Sequence, residues 1–211
     1  MIYVICRNRD EIKYEIPNDA KIIINECEDN FFGEIAAWEK IYKDAKNNGY
    51  KTVGIYQARR AFHENMKILS DNDYDISKNE FYATEYPLNN DTLYSQYVKG
   101  GHFGYETLLD KVLPDNLLKI SKEIHFIYPH NMFYTSFTTF EKMMEFLFSF
   151  IPVVQQYKKD EMKIFSFFAE RLITLFLLSE HIKVCNVKCC RFNKITGEAD
   201  AMEYGLGPWK S

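Results

Sequence analysis

The sequence predicts an α/β fold in which helices flank a mixed, mainly parallel central sheet. Three short runs of apolar and β-branched residues, at 2–6, 21–25 and 51–56, are typical of strands buried on both faces. An amphipathic helical stripe over residues 31–46 lies between the second and third runs. A strand, a helix and a strand of these lengths form a βαβ unit, which implies parallel pairing and a right-handed crossover.

The rest of the chain continues to alternate between helices and strands. Residues 61–69 favour a short helix that returns across the sheet, and Thr138-x-x-Glu141 is a capping box that opens a helix ended by Pro152. Residues 160–181 are apolar nearly all round, which predicts a helix deep in the core. Further strands are predicted at 81–84, 125–128, 132–134 and 184–192, and further helices at 93–98 and 105–112.

Length and composition favour one globular domain. The 211 residues, 46% apolar and 27% charged, are enough for a single buried core. We expect this domain over residues 1–192, followed over 193–211 by a tail or a linker to a further domain. The net charge of −4 argues against a nucleic-acid partner, because nucleic-acid binding needs a basic face.

The cysteine pattern predicts a reducing compartment. The five cysteines are odd in number and have no paired C-x-x-C spacing, which is typical of free thiols in a cytoplasmic protein. No signal peptide precedes the first strand, and no uncharged apolar stretch reaches the roughly 18 residues that a membrane span requires. We therefore expect a cytoplasmic protein without a transmembrane segment.

The third predicted strand ends in Gln57, Ala58, Arg59 and Arg60. Ligands of open α/β sheets bind beyond the carboxyl ends of the strands. Guanidinium groups suit phosphate because each offers a charged, planar fork of donors. The two arginines are therefore candidates for a phosphate site. Two surface arginines at the start of a helix explain the same residues, and the sequence leaves both interpretations open.

A charged pair, Glu170-Arg171, interrupts the most apolar predicted helix. A carboxylate in such a helix is costly unless it is paired, hydrogen-bonded or exposed to a cavity. One interpretation is an ion pair inside the protein. The other is a carboxylate and a cation that face an active-site crevice, and the sequence does not decide between them.

Three weaker motifs carry polar side chains that suit ligands. Asp73-Tyr74-Asp75 has the Asp-x-Asp pattern of metal–diphosphate sites. The helix predicted before it, about 15 Å long, would carry it to the opposite edge of the sheet, so we interpret it as a pair of turn aspartates. His102 suits a phosphate or a metal, although a lone histidine is more often structural. Asn131 suits sugar hydroxyls, and equally a plain turn.

These residues give the chain a family resemblance. It resembles small bacterial glycosyltransferase-like proteins from capsule and O-antigen loci, long catalogued as a domain of unknown function. The similarity covers about residues 1–187 and rests on four blocks in register: NFFGEIAAWEKIYK at 30–43, GIYQARRAF at 54–62, NMF at 131–133 and IFSFFAERL at 164–172. Gln57 and Ala58 stand where the family has His and Tyr, and Arg7 stands where its first strand usually ends in His. In length and class the chain is also similar to the N-terminal glycosyltransferase domain of a multidomain chlorella-virus enzyme.

The resemblance implies a single GT-A-type, Rossmann-like domain that uses a UDP-sugar donor, often with Mn²⁺ or Mg²⁺. It does not identify the metal ligands. The implied acceptor side has Glu170 as the catalytic base and Asn131 and Arg171 as substrate-binding residues. His102, outside the four blocks, is a further candidate for substrate binding. The implied donor-binding residues are Cys6, Arg7, Asn30, Glu34, Gln57, Arg59 and Arg60.

The predicted function is transfer of a hexose or 6-deoxyhexose from a UDP-sugar to a glycan acceptor, in the synthesis of surface polysaccharides or capsid glycans. The alternative is a catalytically silent nucleotide- or glycan-binding module of a larger protein, which the missing His and Tyr favour. A different α/β nucleotide enzyme is a third class, against which the absence of Gly-rich phosphate loops argues.

Overall fold

The structure, a computed structural model, describes residues 1–26, 31–65, 67–99, 108–157 and 163–200. Its strands are β1 (Ile2–Cys6), β2 (Lys21–Ile24), β3 (Thr52–Gln57), β4 (Arg60–Glu64), β5 (Lys67–Ile68), β6 (Phe81–Ala83), β7 (Tyr86–Pro87), β8 (Phe126–Ile127), β9 (Phe133–Ser136), β10 (Val184–Asn186), β11 (Lys188–Phe192) and β12 (Ala199–Asp200). Its α-helices are α1 (Trp38–Asn48), α2 (Leu93–Lys99), α3 (Leu108–Val112), α4 (Asp115–Glu123), α5 (Phe137–Ser149), α6 (Ile151–Tyr157) and α7 (Ile164–Ser179). Short 3₁₀ segments span Arg9–Glu11, Gly33–Ala37 and Asp71–Asp73.

Among the described residues, six strands form the central sheet in the order β2-β1-β3-β9-β6-β10. β1 pairs in parallel with β2 and with β3, and β10 pairs in parallel with β6. Among these six described strands, only β9 runs antiparallel to its neighbours, β3 and β6. The sheet is mixed and mainly parallel, so the predicted α/β fold is confirmed. Helix α1 connects β2 to β3, but β1 lies between these two strands.

The helix predicted over residues 61–69 is wrong, because β4 and β5 occupy this part of the chain. β3 turns back through Ala58 and Arg59, and β4 then pairs with β11 from the far end of the sequence. The pairing is completed by the Phe192 N–H, which donates to the Arg59 carbonyl at 2.8 Å. A partner strand more than a hundred residues away therefore overrides the local apolar spacing.

The strand predicted over residues 184–192 is divided at Val187. β10 pairs in parallel with β6 as an outer strand of the central sheet, whereas β11 pairs antiparallel with β4. β12, which falls in the predicted tail, pairs antiparallel with β11. β4, β5, β11 and β12 together form an antiparallel extension from the carboxyl end of β3.

Two helix boundaries differ from the prediction. Ser136, not Thr138, caps α5, where its Oγ accepts the Thr139 N–H at 3.1 Å. Pro152 does not end that helix, since α5 ends at Ser149 and Pro152 lies in the first turn of α6. Proline is favoured there because a first-turn N–H has no intrahelical partner. α7 is buried on nearly every side, as predicted.

The two faces of the sheet pack against different parts of the chain. Alternate strand residues such as Ile55, Phe81 and Phe133 face a core shared with α1, α5 and α7. Residues on the other face, including Tyr56 and Tyr134, pack against β4, β11 and segments near residues 12–20 and 68–76. Period-two alternation in each strand directs side chains into both layers.

Different polar groups lie at the two ends of the strands. The parallel strands β1, β2 and β3 end on the same side of the sheet, where the antiparallel β9 begins. We call this side, formed by the carboxyl ends of the parallel strands, the carboxyl edge, and it holds the residues discussed below. Asp71 lies at the opposite edge, where it accepts hydrogen bonds from Thr52 at the start of β3 (3.1 Å) and from the hydroxyl of Tyr134 in β9 (2.8 Å). Asp73 belongs to the same short 3₁₀ segment. The opposite-edge placement was predicted, but a strand hairpin, not a helix, carries the chain there.

No helix among the described residues is long and apolar enough to cross a membrane.

Candidate functional site

Two consecutive residues before β9 adopt the left-handed backbone conformation. His130 has φ of 72° and Asn131 has φ of 53°. Non-glycine residues in this region cost on the order of 1–3 kcal/mol each and persist where surrounding contacts enforce them. Here Glu170 Oε1 accepts the His130 N–H at 2.8 Å, and Asn131 Nδ2 donates to the Ser166 carbonyl at 3.1 Å. The first turns of α7 therefore hold this strained turn at the carboxyl edge.

Glu34 joins three segments of the chain at this edge. It comes from the 3₁₀ segment before α1, where its Oε1 accepts from Gln57 Nε2 at 3.2 Å and from Asn131 Nδ2 at 3.1 Å. Gln57 ends β3 and also donates to the His130 carbonyl at 2.5 Å. Glu34 Oε2 has no hydrogen-bond partner among the described residues, so one carboxylate oxygen is left for a ligand.

Glu170 and Arg171 form an ion pair, with 2.9 Å between Oε2 and Nη1. Arg171 is buried, donates from Nη2 to Gln96 Oε1 at 2.5 Å and lies 5.0 Å from the centre of the Tyr97 ring. Arg171 therefore forms its ion pair inside α7, with its neighbour in sequence and not with another element. Glu170 keeps 17% of its side-chain surface exposed and contacts the strained turn, so its carboxylate also belongs to the carboxyl edge.

The surroundings shift the protonation of two groups at this edge. Burial raises the pKa of Glu170, the neighbouring Arg171 opposes this, and the negative charge of Glu34 adds to the rise. Burial, reinforced by the positive charges of Arg60 and Arg191, lowers the pKa of His130 to about 3. At neutral pH the imidazole is therefore uncharged, and the carboxyl group is a stronger base than an exposed glutamate.

The two predicted phosphate-binding arginines do not open a helix. Arg59 lies in the turn after β3, and Arg60 begins β4 directly opposite Gln57. Arg60 Nη1 donates to Gln57 Oε1 at 2.8 Å, which ties it to the residues around Glu34. The Arg59 side chain has no hydrogen bond or ion pair within the described residues. The structure therefore brings Arg60 into the cluster and leaves the Arg59 guanidinium free beside it.

Other predicted site residues stand apart or lie outside the described chain. Cys6 ends β1 in the buried interior, and burial raises the pKa of its thiol. Arg7 is exposed, and its backbone N–H donates to Glu11 at 2.9 Å. Neither contacts the Glu34 cluster through a hydrogen bond. Asn30 and His102 lie outside the described residues.

A shallow hollow of about 400 Å³ lies beyond the carboxyl end of β2. It is lined by Asn25 and Glu26 after that strand and by α1 residues that include Lys40 and Lys43. No group of three or more His, Cys, Asp or Glu side chains within the described ranges is arranged to hold a metal ion.

The sequence did not identify several contributors to this site. His130 supplies the turn, Gln96 and Ser166 hold Arg171 and Asn131, and Arg191 approaches from β11. The PHN tripeptide before a predicted strand is a turn signal that pointed to the region. Nothing local marks the other three, because their roles depend on which elements pack together.

Comparison with known proteins shows the fold. No protein-family model matches the chain, and no curated protein matches its sequence. A solved structure titled as the apo form of WbbM, a bifunctional glycosyltransferase, matches with a TM-score of 0.62 at 13% identity. The match covers 89% of this chain and 44% of that one, so this chain spans less than half its length. The chain therefore shares the α/β fold of part of that structure. The resemblance to the capsule-locus family stays a prediction.

Proposed function

We propose that the chain is a glycosyltransferase domain that moves a hexose or 6-deoxyhexose from a UDP-sugar to a glycan acceptor. One observation carries this proposal: Glu34, Gln57, Asn131 and Glu170 converge at the carboxyl edge of a glycosyltransferase-like sheet. Ligands of open α/β sheets bind at this edge. Carboxylate and amide groups are the side chains that read sugar hydroxyls. The fold alone would not support the proposal.

The donor side has two parts in this proposal. The uracil lies near Cys6, Arg7 and the hollow beyond β2, in keeping with the family resemblance. The diphosphate lies by Arg59 and Arg60, whose positive charge offsets the charge that develops on the leaving UDP. Glu34 Oε2, free of protein partners in the described chain, accepts a hydroxyl of the donor sugar.

The acceptor side is assigned to Glu170. Transfer forms a bond between the acceptor oxygen and the sugar C1, breaks the bond from C1 to the diphosphate, and releases UDP with that electron pair. The acceptor hydroxyl proton passes to the Glu170 carboxylate, whose pKa is raised by burial. Arg171 and the His130 N–H hold this carboxylate in place. His102 and Asn131 are proposed contacts to the acceptor.

A divalent ion is a further proposed component. Mg²⁺ is usually held by one or two carboxylates together with substrate phosphates, so a complete protein cage is not required. With such an ion bound, Glu34 would hold Mg²⁺ or Mn²⁺ through Oε2 in place of the sugar hydroxyl, and the ion would add positive charge beside the diphosphate. The free oxygen of Glu34 fits this role, whereas Gln57 and Ala58 supply no carboxylate at the end of β3.

A silent binding module is the second candidate. Both oxygens of Glu170 already accept a hydrogen bond from the protein, one from His130 and one from Arg171. A carboxylate engaged in this way also suits a purely structural role. Such a module would bind a nucleotide or a glycan as part of a larger, cytoplasmic glycan-synthesis protein, without turnover.

A thermal-shift panel tests the proposal. UDP, GDP and CMP are each added with and without Mn²⁺, and a ligand that binds only the native state raises Tm by mass action. We expect UDP to give the largest rise. The absence of a rise with every nucleotide, with or without Mn²⁺, would contradict a nucleotide-sugar enzyme. A rise without sugar transfer to any glycan acceptor would favour the silent module.

A further inference from the structure

We propose that Arg191 and Arg60, opposite each other on β11 and β4, form a two-guanidinium site that binds the diphosphate of the donor. Arg191 lies in the last described part of the chain and was not among the predicted site residues. The inference rests on the proposed function, since it assigns a further residue to the donor side. It also makes the antiparallel extension a functional part of the domain.

The strand register brings the two arginines together. Arg191 is the direct cross-strand partner of Arg60 in the antiparallel β4–β11 pair, and directly opposite residues project from the same face. The end of β11 is fixed against the turn after β3 by the hydrogen bond from the Phe192 N–H to the Arg59 carbonyl. Arg191 therefore lies at the carboxyl edge beside the Glu34 cluster.

The charges of this pair are not balanced by the described protein. Like charges directly opposite each other destabilise a strand pair. Arg60 donates only to the neutral Gln57, its Nε is buried without a partner, and Arg191 has no ion pair among the described residues. In the strand register, the position opposite Arg191 on its other side is Asp200 of β12.

The surroundings also favour a bound anionic ligand over an ion pair with a carboxylate of the protein. Burial, reinforced by the positive charges of both arginines, lowers the pKa of His130 and keeps its imidazole uncharged beside them. The nearby Glu170 is already paired with Arg171, and Glu34 Oε1 is engaged by two amides. A diphosphate supplies several charged oxygens in one compact group, which matches two planar forks of donors.

Titration calorimetry with UDP, inorganic pyrophosphate and uridine tests the inference. Arg191→Ala should weaken UDP and pyrophosphate about 10-fold or more, the usual worth of a charge-assisted contact. Binding of uridine, which has no phosphate, should not change. Arg60→Ala should show the same pattern, and Arg191→Lys should bind with intermediate affinity because it keeps the charge but loses the fork.

Lys188→Ala is the matched control. Lys188 is exposed on the same strand, three residues from Arg191 and so on the opposite face, and its removal deletes the same charge away from the site. It should leave pyrophosphate binding unchanged. If Arg191→Ala fails to fold, Arg191→Met keeps the aliphatic stem and must show the same loss.

The outcomes separate this inference from the proposed function. UDP binding that is equal in the parent protein and in the folded Arg191 variants overturns the inference and leaves the proposed function standing. Pyrophosphate binding that depends on Arg191, in a protein without preference for UDP, keeps the anion site and contradicts the proposed donor.

Discussion

Among single residues, two carboxylates with different surroundings have different roles in the proposed reaction. Glu170 is held by a backbone N–H and an arginine, and its pKa is raised by burial. Glu34 is held by two amides through one oxygen, with the other left for a ligand. Groups whose environments differ in this way suit different roles, one as a base and the other as a contact to the donor.

Glu170→Gln tests the role of the base. We expect the variant to fold and to bind UDP as the parent does, and to transfer sugar about 100-fold more slowly or worse, the range of general base catalysis. In the parent, transfer should rise with pH as Glu170 loses its proton, at a higher pH than for an exposed glutamate because its pKa is raised. The fall in transfer rate at low pH, which is the acid limb of the pH–rate profile, should disappear in the variant. A folded variant that transfers sugar at the parental rate would show that the role of Glu170 is structural.

Glu34→Gln provides the matched comparison at the neighbouring carboxylate. Removal of its negative charge should lower the pKa of Glu170, because that charge contributes to the rise. The acid limb of transfer should therefore move to lower pH, and donor binding should weaken. A pH–rate profile with an unmoved limb would show that the two carboxylates do not interact.

At the scale of elements, β3 lies at the centre of the sheet and depends on a glycine. A Cβ at Gly54 would lie 2.7 Å from Tyr134 Cδ2 on β9 and 3.0 Å from Ile2 Cγ1 on β1. Tyr134 is fixed, since its ring stacks on Tyr74 at 3.9 Å and its hydroxyl bonds to Asp71. A side chain at Gly54 therefore fits only if the Tyr134 ring moves.

Gly54→Ala should lower the free energy of unfolding by about 1–3 kcal/mol, the usual cost of overpacking a core. Urea denaturation measures this change. Tyr134→Ala removes the obstructing ring, so Gly54→Ala should cost less in that background, and a double-mutant cycle gives the difference. An equal cost in both backgrounds would mean that contact with Tyr134 is not the cause.

Local sequence predicted the elements that carry their own signal. The apolar runs of β1 and β3 and the all-round apolar pattern of α7 identify buried elements without reference to the rest of the chain. The hairpin at residues 60–68 was missed because its strands are stabilised by β11, which no local pattern identifies. Glu34, Asn131 and Glu170 were predicted as site residues from the motifs and the resemblance, whereas Arg191 becomes visible only through the strand register.

At the scale of the whole molecule, the carboxyl edge of the sheet collects segments from nearly the entire described chain. Glu34 comes from before α1, Gln57 from β3, Asn131 from before β9 and Glu170 from α7. Asp71 and the neighbouring Asp73 lie at the opposite edge, so the Asp-x-Asp motif is separated from this cluster by the length of the strands. The proposed site therefore lies at the carboxyl edge and not at the Asp-x-Asp motif.

A crystal structure of the protein with UDP tests this location. We expect the diphosphate within hydrogen-bond distance, about 2.7–3.2 Å, of the Arg60 and Arg191 guanidiniums, with the β-phosphate, which carries the sugar in the donor, directed toward Glu34 and Glu170. UDP bound at the opposite edge near Asp73, or on a surface that touches none of these residues, would contradict it.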